Sequence, residues 1–215
     1  MEEITIRDTL FGDMPLSAWA GDESHAEREP WRWFSAAREH LDAGDQALAV
    51  AQLQRVIGAP GLETRHYLQA WHFLRQLGVA PPETAAKNVL GVVLEVSLAD
   101  GLDLIAAYAD HSARYFNFSG GGVIWDSPDD SLNPEIEALL RAAEDIVQNI
   151  GPWEEERPPP PPVGQVRVNI LAPGGLHFGQ APFEDLANDA MGGPIVQAAL
   201  ALMQALIAKS TEASA

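Results

Sequence analysis

The sequence predicts an α+β fold, in which an N-terminal helical hairpin region precedes an antiparallel meander sheet covered by helices. Apolar residues recur with helical spacing between residues 30 and 82. From residue 88 the pattern changes to β-branched runs, with turn residues spaced about 8 to 12 positions apart. Two later segments return to helical spacing, and such helices would cover one face of the sheet.

The charge of the chain limits its partners. Thirty-one acidic residues against thirteen basic residues give a net charge of −18. A surface of this sign repels DNA, RNA and anionic membranes, and the basic residues are scattered along the chain rather than grouped. The composition therefore indicates either a highly soluble surface or a protein partner with a basic face.

The sequence contains no cysteine, which excludes disulfides, thiol nucleophiles and cysteine-ligated zinc. Residues 1–19 lack the basic start and apolar run of a secretory signal. No apolar stretch reaches the length of about 18 residues that a membrane span needs. We therefore expect a cytoplasmic protein.

Residues 1–29 are expected to form an irregular acidic leader, with Ile4 and Ile6 as candidates for a short strand. A helix is predicted to begin near Pro30, because proline suits the first helical turn. It ends at Gly44, and Asp45 caps the next helix. A third helix, about 63–77, completes the helical hairpin region at 30–82.

The first two helices resemble a tetratricopeptide repeat. The matching positions, spread over residues 31–60, are Trp33, Ala36, Ala37, His40, Gly44, Ala49, Leu53, Val56 and Pro60. The match covers one repeat of about 34 residues, with His40 where an aromatic residue is usual and Pro60 about one position early. The resemblance implies two antiparallel helices that approach closely at small residues, and it implies a role in protein–protein interaction.

The α+β domain is predicted over residues 83–209. Four strands are expected within 88–126, joined by turns at Asp100–Gly101, Asp110–His111 and Ser119–Gly122. Two more strands, 166–172 and 176–183, flank Pro173–Gly174, which has the residues of a type II turn. Whether the two groups of strands share one sheet is left open by the sequence.

Helices are predicted at 134–150, 183–189 and 195–209. The last is apolar on nearly all sides, so we expect it to be heavily buried or to mediate oligomerisation. Residues 210–215 are expected to be a frayed tail. Five prolines at 158–162 favour a stiff polyproline spacer; a recognition motif for an aromatic-lined groove is the alternative.

His111 and His177 are the main candidates for chemistry. His111 follows Asp110, which fits a general base or metal ligand, but both residue types also tolerate the positive φ of a type I′ turn. We favour the turn. His177 would form a metal site only if folding brings it near His111, Asp110 or Asp126, and no compact ligand motif occurs.

Arg114, Tyr115 and Trp125 are candidates for contacts with a partner. Arginine and large aromatic residues are enriched at the centres of protein interfaces. Strand alternation places Tyr115 on one face of the sheet and Arg114 on the other. One face should lie under the helices, and the other would be available to a partner.

The sequence therefore favours a non-enzymatic interaction protein of a bacterial-type cytoplasm, either an adaptor or an inhibitor of the immunity type, with a basic protein partner and no cofactor or metal. No phosphate-binding, serine-hydrolase or metalloprotease motif is present. The alternative is a small enzyme or ligand-binding domain with a site near His111 and His177.

Overall fold

The computed structural model describes residues 5–19 and 28–212, which divide into two compact units, 1–86 and 87–215. The boundary lies four residues after the predicted end of the helical region at 82. Ile4, part of the predicted short strand, lies outside the described residues, as do residues 213–215 of the predicted tail.

The described part of the leader contains two short helices and is not irregular throughout. Helix α1 spans Ile6–Phe11 and α2 spans Leu16–Trp19. Thr5 caps α1: its hydroxyl accepts from the Asp8 amide, and the Asp8 carboxylate accepts from the Thr5 amide at 2.9 Å. This reciprocal pair satisfies two backbone donors at a helix start, and it corrects the predicted strand at Ile6.

The predicted helical hairpin is present in the first unit. It comprises α3 at Trp31–Asp42 and α4 at Gln46–Gly58, followed by α5 at Thr64–Gln76 and the short α6 at Glu83–Ala86. The Asp45 side chain accepts from the Leu48 amide at 3.2 Å, which confirms the predicted cap. The fully buried Ala37 and Ala49 belong to the hydrophobic cluster shared by these helices. The tetratricopeptide resemblance itself stays a prediction.

The second unit contains all six predicted strands. They are β1 at Gly91–Leu98, β2 at Gly101–Tyr108, β3 at Ala113–Phe116, β4 at Gly122–Trp125, β5 at Gln165–Ala172 and β6 at Gly175–Pro182. They form one antiparallel sheet in the order β4-β3-β2-β1-β5-β6. Because β1 pairs with β5, the two groups of strands share one sheet.

Two predicted turns differ in detail from the structure. Leu98 pairs with Gly101, so the β1–β2 connection is Ala99–Asp100 and Gly101 already belongs to β2. Between β5 and β6 the positive φ, 138°, falls on Gly175 rather than on Gly174. A type II turn at Pro173–Gly174 needs that positive φ on Gly174, so the predicted turn type is wrong.

One face of the sheet packs against helices. These are α7 at Asn133–Asn149, α8 at Phe183–Asn188 and α9 at Gly192–Glu212. The main core lies between them and the sheet, where Val92, Ile105 and Val168 meet Leu139 and Leu202. The first three residues of the predicted tail continue α9 rather than fray.

Helix α9 is buried along one stripe rather than all round. Ile195, Val196, Ala199, Leu202 and Leu206 are buried, while Ile207 is 43% exposed. One helix among the described residues, α9, is long and apolar enough to cross a membrane. The core helix of a globular protein meets the same criteria, and 39% of the most apolar window of α9 is buried.

The polyproline segment runs from α7 to β5 and is attached to the sheet. Trp153 forms an isolated antiparallel bridge with Leu176 of β6. The buried Arg167 of β5 donates to the Pro159 carbonyl at 2.7 Å, and the Gly164 amide donates to the Ser97 carbonyl at 2.8 Å. The predicted spacer is therefore held against the sheet by hydrogen bonds to β1, β5 and β6.

Candidate functional site

Four of the five predicted binding residues lie close together in the sheet. Arg114 and Tyr115 are neighbours on β3, Trp125 pairs with Ala113 next to them, and His111 lies in the connection between β2 and β3. His177 lies on β6, at the opposite side of the sheet. The predicted residues thus form one group and one separate histidine.

His111 closes the connection between β2 and β3. Its φ is 61°, its amide donates to the Tyr108 carbonyl at 3.0 Å, and its ring nitrogen lies 3.3 Å from the Glu137 carboxylate of α7. A type I′ turn needs a second positive φ, which Asp110 does not have. Three residues instead lie between Tyr108 and Ser112, whose backbones are hydrogen-bonded, and the last of the three, His111, is in the left-handed region. The predicted turn is therefore present, and its type is corrected.

Arg114 is buried and serves the sheet itself. Its guanidinium donates to the Trp125 carbonyl at 2.7 Å and to the Ala113 carbonyl at 2.9 Å, and it pairs with the Asp126 carboxylate at 2.5 Å. These bonds tie the end of β4 to β3. The geometry therefore gives Arg114 a structural task, and contact with a partner stays a prediction.

Tyr115 and Trp125 pack on the helix-covered face. The Tyr115 hydroxyl donates to the Asp103 carboxylate at 3.0 Å. Burial raises the pKa of Tyr115, and the Asp103 carboxylate raises it further. Trp125 is 8% exposed, and its indole N–H has no hydrogen-bond partner. Trp125 is therefore largely shielded from solvent, whereas Tyr115 is half-buried, and contact of either ring with a partner stays a prediction.

His177 is almost completely buried on the helix-covered face, in register with Ile170. Burial lowers the pKa of His177, and the backbone of Ile150 offsets part of that effect. Three strand steps separate β6 from β2, which is about 14 Å at the usual spacing. A single site that contains His111 and His177 is therefore not formed. Among the described residues, no group of three or more potential metal ligands occurs.

A buried polar cluster that the sequence analysis did not identify occupies the other face of the sheet. Glu95 and Asn169 are fully buried and Arg167 is 4% exposed. Arg167 lies 3.4 Å from the Glu95 carboxylate, and the Asn169 amide donates to the same oxygen at 3.1 Å. Arg167 also donates to the Gln180 side chain at 2.8 Å and lies over the Phe178 ring. A buried ion pair requires such additional hydrogen bonds.

This cluster had a signal in the sequence. Arg167 and Asn169 stand two positions apart in the apolar run VRVNILA, and Glu95 interrupts GVVLEVSL. Polar residues at a spacing of two in otherwise apolar strands share one face. That face faces solvent in many antiparallel sheets, so the sequence did not distinguish an exposed row from a buried pair across β1 and β5.

The surface of the second unit is strongly acidic. Residues 87–215 contain 18 acidic and 6 basic residues, a net charge of −12 out of −18 for the chain. At least four of the six basic side chains are paired with carboxylates of the same unit: Arg114, Arg141, Arg167 and Lys209. The exposed acidic residues include Glu144, Asp145, Glu154, Glu155, Glu156, Glu184, Asp185 and Asp189.

In comparisons with known proteins, no family model, curated protein or solved structure matches this chain.

Proposed function

We propose that this is a non-enzymatic protein-interaction protein that binds a basic protein partner through the acidic surface of residues 87–215. One observation carries the proposal: this unit has a net charge of −12, with 18 acidic and 6 basic residues. This threefold excess of acidic over basic residues attracts an incoming basic surface.

The charge acts mainly on specificity and association rate. A field of one sign accelerates encounter with a partner of the opposite sign by about 10- to 1000-fold and suppresses encounters with acidic proteins. The effect decreases steeply with ionic strength. One form of this function is an inhibitor of the immunity type, which would mask a basic active site. The other form is an adaptor. The resemblance of residues 31–60 to a tetratricopeptide repeat favours the adaptor.

The test is affinity purification from the native cell at low ionic strength, with three versions of the protein. The first is the wild type. The second carries Glu144→Gln, Glu155→Gln and Glu184→Gln, which removes one exposed carboxylate from each of three regions of the second unit. The matched control carries Glu39→Gln, Asp42→Asn and Glu83→Gln, which changes the net charge equally in the first unit.

We expect the wild type and the control to retain the same basic protein, and the second-unit variant to retain clearly less of it. Raising the salt to about 0.5 M should release the partner, because the Debye length then falls to about 4 Å. Recovery of no protein at low salt contradicts the proposal. Equal losses in both variants would also contradict it, because the binding surface would then not lie on residues 87–215.

A further inference from the structure

The outer edge of β6 presents backbone groups to solvent. Trp153 donates its amide to the Leu176 carbonyl on this edge. Strand residues alternate in the direction of their N–H and C=O groups, so the backbone groups of Phe178 and Gln180 point the same way as those of Leu176. In the part of the chain that the structure describes, the only bridge on this edge is the one between Trp153 and Leu176.

The two edges of the sheet are unequal. The β4 edge has four residues, a length that limits pairing with another chain. Strand β6 has eight residues, and six of them, 177–182, lie beyond the Leu176 position that Trp153 occupies. Gly179 and Gln180 are exposed among these six. The Gln180 side chain is turned into the polar cluster, where it accepts from Arg167 and donates to Gln165. Its backbone remains available at the edge.

The two residues that bound the open part of this edge, Trp153 and Pro182, are both followed in the sequence by acidic residues. Glu154, Glu155 and Glu156 follow directly after Trp153, which occupies the Leu176 position. At the other end, Glu184 and Asp185 follow within three residues of Pro182, the last residue of β6. All five carboxylate residues are exposed. An extended chain paired with Phe178 and Gln180 would therefore have Glu184 and Asp185 near its Pro182 end. Its other end would lie next to Trp153, from which the three glutamates continue.

We propose that the β6 edge binds an extended, basic segment of the partner, which adds a seventh strand to the sheet beyond Trp153. This mode supplies affinity through main-chain hydrogen bonds and specificity through alternate side chains. The inference rests on the proposed function, since it gives the basic partner a binding position. A second copy of this chain is disfavoured, because pairing two β6 edges brings the acidic runs of both copies together.

The experiment uses defined peptides and the full chain. One peptide of about eight residues alternates lysine and valine, which favours a strand; the other has the same number of lysines among alanine and leucine, which favours a helix. We expect the strand-forming peptide to bind more tightly by on the order of tenfold. Its binding should slow hydrogen exchange at the Phe178 and Gln180 amides, which should exchange faster than the β5-bonded Gly179 amide in the free protein.

A crosslinking arm locates the peptide independently. The chain has no cysteine, so a single Pro182→Cys variant carries one photoreactive label at the end of the β6 edge. Ile124→Cys, on the exposed β4 edge, is the matched control. We expect the basic strand-forming peptide to crosslink at position 182 and not at 124, whereas crosslinking of the protein to itself at 182 would indicate a second copy instead.

The outcomes separate this inference from the proposed function. Equal affinity of both peptides without protection at Phe178 and Gln180 overturns the β6 edge and leaves the acidic surface in place. Failure of both peptides to bind also overturns the edge inference, and the affinity purification then decides the proposed function by itself. A basic partner that the wild type retains, and that protects the Phe178 and Gln180 amides from exchange, supports both the proposed function and the β6-edge inference.

Discussion

His111 and Gly120 occupy the same position in two successive hairpins. Each amide donates to the carbonyl three residues earlier, His111 to Tyr108 at 3.0 Å and Gly120 to Asn117 at 3.1 Å. Each φ lies in the left-handed region, at 61° and 87°. The β2–β3 connection therefore holds a histidine where the β3–β4 connection holds the residue best suited to that backbone.

Replacing His111 with glycine should keep the stability within about 1 kcal/mol of the wild type or raise it. Glycine removes a left-handed cost of about 1 kcal/mol or more, while losing the half-exposed ion pair with Glu137, worth about 0–1 kcal/mol. Urea unfolding at pH 7 measures the difference, with Glu137→Gln as the control for the ion pair. A loss above about 2 kcal/mol would show that His111 does more than close the turn.

Replacing Arg167 with methionine should destabilise the protein by about 3–5 kcal/mol, because Glu95 would remain buried without its cation. The double variant Glu95→Leu, Arg167→Met should be more stable than Arg167→Met alone, since it removes the stranded charge. Urea unfolding of the wild type, Arg167→Met, Glu95→Leu and the double variant gives the coupling energy between the two charges. Additive losses would mean that the two charges do not depend on each other.

Acid should destabilise the protein in part through His177. Burial lowers its pKa below the ordinary value of 6.5 in the folded state, so the unfolded chain binds the proton more tightly. The contribution of neutral His177 is complete above pH 6.5 and is lost as the pH falls from there through the folded pKa, by up to about 1.4 kcal/mol per pH unit.

His177→Gln removes this titration. Between pH 7.5 and 5.5, the unfolding free energy should therefore decrease less in His177→Gln than in the wild type. An identical decrease in both proteins would place the acid sensitivity elsewhere.

The Tyr115 phenol should ionise at a higher pH than that of an ordinary tyrosine. Burial and the Asp103 carboxylate raise its pKa above 10.0. Asp103→Asn removes the carboxylate and should bring the pKa part of the way back, because burial, the larger cause, remains. Tyrosine-labelled NMR across alkaline pH follows the phenol directly, with Tyr67 as the internal comparison. A Tyr115 pKa unchanged by Asp103→Asn would leave burial as the sole cause.

The strands could be predicted because each is a short β-rich run bounded by its own turn. The alternation of Ile4 and Ile6 favours a strand, whereas the leader helix depends on the capping pair Thr5 and Asp8, which lies next to that alternation in the sequence. The buried cluster was missed for a different reason. Glu95 meets Arg167 only when β1 pairs with β5, and no local pattern specifies that pairing. The separation of His111 from His177 likewise depends on strand order.

The central position of β1 also has a consequence for how the chain reaches its fold. β1 bonds on one side to the adjacent hairpin strand and on the other to a strand far along the chain; Val93 and Asn169, which are paired, are 76 residues apart. Local hairpins form in microseconds, whereas the pairing of distant strands is slower because it requires the entropy cost of closing a long loop. Before β5 pairs with it, β1 is an apolar edge strand with unpaired backbone groups. A nascent or truncated chain that ends before residue 165 lacks β5, so it is the species most prone to aggregate.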